Sequence, residues 1–76
     1  MSKIKVGQVY RYTTDTSLIF VITQSYDENT RFDCIHNDGV TSGYIEDDSV
    51  LYQTELIAEY LTWQEAVNSK EFRDVE

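Results

Sequence analysis

Arg31-Phe32-Asp33-Cys34-Ile35-His36-Asn37-Asp38-Gly39-Val40-Thr41-Ser42-Gly43-Tyr44-Ile45 is the stretch that decides the fold class of this chain. Its first six residues alternate. Phe32, Cys34 and His36 fall on one face of an extended segment and Arg31, Asp33 and Ile35 on the other, because successive strand side chains point to opposite sides. Asn37-Asp38-Gly39 then supplies tight-turn chemistry, since both central residues of Asp-Gly accept the positive φ that a short hairpin needs. A return strand over residues 40–45 completes a β-hairpin.

Upstream, Leu18-Ile19-Phe20-Val21-Ile22 is apolar on both faces and rich in β-branched residues, so residues 18–25 read as the central, most buried strand. Residues 6–14 read as a strand before it, with Val6, Tyr10 and Tyr12 on one face and Val9 and Arg11 on the other. Gly7 marks a bulge or close approach near its start. Asp15-Thr16-Ser17 and Asp27-Glu28-Asn29 are turns. Downstream, Glu46-Asp47-Asp48-Ser49 reads as a loop, and residues 50–52 and 56–60 as the last extended pieces. Residues 55–61 also fit a helical period, through Leu56, Glu59 and Tyr60.

The period changes at Thr62-Trp63-Gln64-Glu65, which matches a capping box in which hydroxyl and carboxylate each satisfy an orphaned backbone N–H. A helix over residues 63–69 then carries Trp63, Ala66 and Val67 on one stripe, packed over an open end or edge of the sheet. Phe72 adds a last apolar contact. Five short strands, tight turns and a terminal helix predict a mainly β fold. It is a small SH3-like bent sheet or barrel or, as the alternative, an open antiparallel sheet with the helix across one face.

Seventy-six residues make one domain, residues 1–76. A chain this short buries only about 60% of the surface it exposes when unfolded. Net stability of about 3–5 kcal/mol follows. A single cysteine excludes an internal disulfide. No apolar segment follows the basic residues Lys3 and Lys5, and the longest apolar run, residues 18–22, is far short of a membrane span, so the cytoplasm of a bacterial cell is the expected location.

The net charge is −8, unevenly placed. Residues 32–69 contain no lysine or arginine but carry Asp33, Asp38, Glu46, Asp47, Asp48, Glu55, Glu59 and Glu65. A field of this sign repels phosphate backbones and anionic membranes, so neither is an expected partner.

Catalytic chemistry finds little to use. Cys34 and His36 form the one possible nucleophile–base pair, yet a zinc site needs four ligands and a lone cysteine behaves as a small hydrophobe. A buried Cys34 and an edge His36 are expected. Asp27-Glu28-Asn29 superficially matches a calcium loop until Arg31 and Phe32 break the pattern. No phosphate loop or nucleophile elbow occurs. The chain is therefore expected to be no enzyme and to hold no metal or cofactor. Its distinctive surface material is tyrosine, six in all. Rings beside carboxylates suit a basic protein partner, which singles out Glu46, Asp47 and Asp48 with Tyr44 and Tyr52.

Ile4-Lys5-Val6-Gly7-Gln8-Val9-Tyr10-Arg11-Tyr12 at the start, and Glu55-Leu56-Ile57-Ala58-Glu59-Tyr60 with Thr62-Trp63-Gln64-Glu65-Ala66-Val67-Asn68-Ser69-Lys70-Glu71-Phe72 at the end, carry a resemblance. They resemble a group of small uncharacterised proteins of phages and prophages of Gram-positive bacteria. The resemblance covers about half the chain and implies a phage-type origin and a β-rich fold. It carries over no activity and no site residues. The expectation is an acidic protein that engages a host or phage protein, as an inhibitor or a DNA mimic. The alternative is a structural or accessory homo-oligomer.

Overall fold

A strand that is apolar on both faces needs cover on both, and the computed structural model provides it. It describes residues 4–26 and 30–73, so the turn at Asp27-Glu28-Asn29 and both chain ends lie outside the described residues. Five strands, β1 (Gln8–Tyr12), β2 (Ile19–Tyr26), β3 (Arg31–His36), β4 (Thr41–Glu46) and β5 (Thr54–Glu59), form one antiparallel sheet in the order β4-β3-β2-β1-β5. Three short helices, α1 (Asp47–Gln53), α2 (Trp63–Val67) and α3 (Lys70–Arg73), are the other elements among the described residues.

β2 is the spine. Phe20 and Ile22 point into one cluster with Ile4, Tyr10, Phe32, Cys34 and Val50. Ile19 and Val21 point into the other, with Val9, Ala66 and Phe72. The helical stripe of Trp63, Ala66 and Val67 lies on this second face, over β1 and β2. It therefore covers the middle of the sheet and not an end or edge. The threonine half of the expected capping box forms, with Glu65 N–H donating to Thr62 Oγ1 at 3.2 Å, while the Glu65 carboxylate accepts from the Thr62 hydroxyl at 3.4 Å and not from a backbone N–H. The helix stops at Val67, and α3 restarts to bury Phe72.

Residues 46–52 depart from expectation. Where the sequence suggests a loop and a strand, Asp47–Gln53 forms α1 and β5 begins only at Thr54. Two forces favour helix there. Asp47 and Asp48 occupy its first turn, where carboxylates complement the helix dipole. Val50 is buried in the first cluster, a contact that an exposed loop or edge strand would not make. The Thr54 hydroxyl donates to the Val50 carbonyl and helps close the helix end.

α1 also bends the sheet. It joins β4 at one edge to β5 at the other. Seven helical residues rise only about 10 Å, whereas four strand spacings of a flat sheet span about 19 Å. The sheet must curl for the connection to reach, and α1 roofs the concave side. The strands themselves do not close into a barrel, because no ladder joins β4 to β5. The architecture is the open antiparallel sheet with a helix across one face.

The Asn37-Asp38-Gly39 turn works differently from the two-residue form. Gly39 alone takes positive φ (+92°), Gly39 N–H donates to the His36 carbonyl at 2.9 Å, and His36 N–H donates to Val40 at 2.8 Å. That is a three-residue hairpin loop with glycine at the left-handed position.

Gly7 makes the close approach that its place in the sequence suggests. Its φ is +95°, its carbonyl accepts from Tyr60 N–H at 3.0 Å, and a Cβ there would stand 2.4 Å from the Tyr60 carbonyl oxygen. Gly39 has open space around it. Gly39→Ala should therefore lower stability by about 1 kcal/mol, the backbone penalty alone. Gly7→Ala should lose distinctly more, because steric conflict is added to that penalty. Urea midpoints measure both; equal losses would show that the Gly7–Tyr60 approach contributes nothing.

Candidate functional site

The pairing of β3 slips in register against both neighbouring strands beside one residue. On the β2 side, Ile22 pairs with Cys34 and Gln24 with Asp33, leaving Thr23 as an extra residue. On the β4 side, Ser42 pairs with Cys34 and Ile45 with Phe32, so Gly43 and Tyr44 together oppose Asp33. Two β-bulges thus converge on Asp33. Bulges bend a strand and re-aim its side chains, and they concentrate near sites of function.

The β4 bulge places Tyr44 at φ +58°, a left-handed conformation that a bulky L residue rarely adopts. Asp33 holds it there. Its Oδ1 accepts from Tyr44 N–H at 3.0 Å, while its Oδ2 accepts from the Tyr26 hydroxyl at 2.6 Å. That second bond to the carboxylate raises the Tyr26 phenol above its ordinary pKa. The Tyr26 and Tyr44 rings lie 5.5 Å apart. The Arg31 guanidinium sits 5.1 Å over the Tyr44 ring and bridges to Glu46 at 2.9 Å. Tyr44 remains 55% exposed.

Beside this cluster runs a groove of about 330 Å³, between the outer face of the β3–β4 hairpin and α2. Thr23, Asp33, Ile35, Thr41, Gly43 and Trp63 line it. The volume suits a side chain or small ligand.

The residues singled out in the sequence separate in the structure. Tyr44 and Glu46 come together, joined through Arg31. Asp47, Asp48 and Tyr52 instead ride on α1, where Tyr52 is 84% exposed. The acids of 32–69 are spread over several elements, with Asp47 and Asp48 on α1 between Glu46 and β5. Asp38 lies in the hairpin turn at the opposite end of β4 from Glu46, Glu55 and Glu59 sit on the far edge strand, and Glu65 is on α2. Glu55 is paired with Arg11 at 2.7 Å. Asp33, Tyr26 and the groove-lining role of Trp63 were not singled out. Alternation cannot reveal a bulge; the readable signal was a glycine, Gly43, inside a strand.

Cys34 and His36 are both packed into the fold. Cys34 is buried, and burial pushes its thiol up to about 11. His36 is buried too, not at an edge, and its ring packs against Tyr12 and Phe20. Its Nδ1 lies 3.1 Å from the Val40 carbonyl, which can only accept, and its Nε2 lies 3.3 Å from the Tyr12 hydroxyl, so in the neutral ring Nδ1 donates and Nε2 accepts. Among the described residues, no three His, Cys, Asp or Glu side chains are grouped to hold a metal. No helix among them is long and apolar enough to cross a membrane. No protein-family model, curated protein or solved structure matches this chain.

Two measurements test this description. Burial, reinforced by the Glu59 charge, also pushes the Tyr10 phenol up to about 12. In the fold both groups hold their protons longer than in the unfolded chain, so stability is full at neutral pH and falls as pH rises from about 9 towards 12. Each group accounts for a loss of about 2 kcal/mol. The urea midpoint should therefore drop through that window, and Cys34→Ala should remove its lower part. An unchanged drop would show that the thiol ionises freely. For the bulge, Tyr44→Gly and Tyr44→Ala both delete the ring, but only alanine keeps the left-handed penalty. The glycine variant should be the more stable by about 1 kcal/mol. Equal midpoints would mean that residue 44 is not held in that conformation.

Proposed function

We propose that this chain is a non-catalytic binding module, of the phage type that its resemblance implies, which engages a protein partner through the outer face of β3 and β4. The observation that carries the reading is Tyr44. A large aromatic ring is kept exposed by a backbone conformation that costs energy and that a neighbouring carboxylate maintains. Strain of this kind persists where the surrounding structure enforces it, and it clusters at ligand-contacting positions. Tyrosine and arginine are also the residues that dominate interface energetics, and here Tyr26, Tyr44 and Arg31 adjoin. The buried, hydrogen-bonded condition of Cys34 and His36 supports a role without catalysis.

Within that reading, mimicry of a nucleic-acid backbone has little support. Mimicry needs carboxylates evenly spaced along one face, and these acids are shared among the hairpin turn, β3, β4, α1, β5 and α2, with Glu46 and Glu55 already paired to arginine. The homo-oligomeric alternative is weakened by the edges themselves. β5 is irregular opposite Val9 and Tyr10, β4 is bulged, and both edges carry acids, the devices that discourage edge-to-edge pairing.

Photo-cross-linking in a Gram-positive host tests the proposal. With p-benzoylphenylalanine at Tyr44, a heterologous protein adduct is expected, and none with the same group at Glu59 on the opposite edge. Adducts of twice the chain mass would favour the homo-oligomer. Equal adducts at both positions would remove Tyr44 from any interface.

A further inference from the structure

Building on that reading, we propose that the groove beside Tyr44 receives one lysine or arginine side chain of the partner, with its cationic head against the Asp33 carboxylate. Among the described residues no lysine or arginine forms an ion pair with Asp33. Both its oxygens accept hydrogen bonds, but from a backbone N–H and a phenol. Arg31, on the same strand, is directed to Glu46 and the Tyr44 ring.

Gly43 supplies the second observation. Its backbone is outside the positive-φ region, so conformation does not require glycine there. What a side chain would do is crowd the carboxylate, since a Cβ would stand 3.2 Å from Asp33 Oδ1. The missing side chain leaves that flank of Asp33 open to the groove.

The walls match a long cationic side chain. Ile35 and the threonine methyl groups suit an aliphatic stem, and lysine and arginine lay their methylenes along such surface while the charged head finds a polar partner. Trp63 is the aromatic residue best suited to lie near a cation. A neutral apolar occupant would desolvate the Asp33 carboxylate without compensation. An anion would be repelled by it and by the net charge of −8.

Titration of the intact protein with N-acetyl-arginine amide and N-acetyl-lysine amide, followed by NMR at the Gly43 amide and the Trp63 indole N–H, tests this. N-acetyl-norleucine amide serves as the uncharged probe of similar length. Saturable shifts with a Kd of about 1 mM are expected for the cationic probes, in keeping with their size. Binding should weaken as salt is added. Gly43→Ala keeps the charge but narrows its flank and should weaken binding about fivefold, the effect of losing one exposed charge contact. Asp33→Asn should abolish the preference for cation over norleucine. Norleucine binding as well as arginine, or neither cationic probe giving a saturable shift, overturns the inference. Should either variant fail to fold, the wild-type comparison of probes decides alone. Cross-links at residue 44 without cation binding would leave the surface reading standing and remove only this one. Cation binding without cross-links would do the reverse.

Discussion

Everything in this molecule is arranged around one strand that cannot face water. Ile19, Phe20, Val21 and Ile22 are all nearly inaccessible, two to each side of the sheet. With about 25 cal/mol per Å² of apolar surface gained on burial, four such side chains represent a large share of what a chain of this size can gain. The neighbouring strands pair with β2, and the helices supply its two covers. Because one strand serves both cores, damage to it would not stay local.

That demand explains the unequal treatment of the two faces. The convex side is covered by α2 and α3, whose apolar stripe lies flat on β1 and β2. The concave side is reached by a helix too short to span a flat sheet, so curl and cover come from one connection. Gly7 belongs to the same design. It draws the N-terminal segment, β2 and the end of β5 together through backbone bonds to Ile22 and Tyr60, and a side chain would collide with the Tyr60 backbone.

The candidate site grows out of the irregular part of the sheet. Curl and twist are accommodated by bulges, and two of them fall on either side of Asp33. The extra residues re-aim Tyr44 outwards and leave Gly43 bare beside a carboxylate that accepts two hydrogen bonds and, among the described residues, forms no ion pair. The structural device and the proposed recognition surface are therefore the same few residues. Part of the negative charge is answered within the fold, since Glu46 and Glu55 are each engaged by arginine.

Much of the fold was legible in the residues alone, because it rests on short-range rules. Alternation placed β3 and its two faces, the doubly apolar run identified β2 as central, and the threonine cap marked the start of α2. These depend on period and on neighbours within one turn. What required the tertiary structure was anything set by two distant segments at once. Asp47–Gln53 has strand-forming residues in Val50 and Tyr52, yet the need to bridge opposite edges and bury Val50 makes it a helix. His36 reads as an edge residue until Tyr12 and Phe20 close over it. Asp33 is one acid among many until the registers of both neighbouring strands slip beside it, and register is a property of paired strands that neither strand encodes alone.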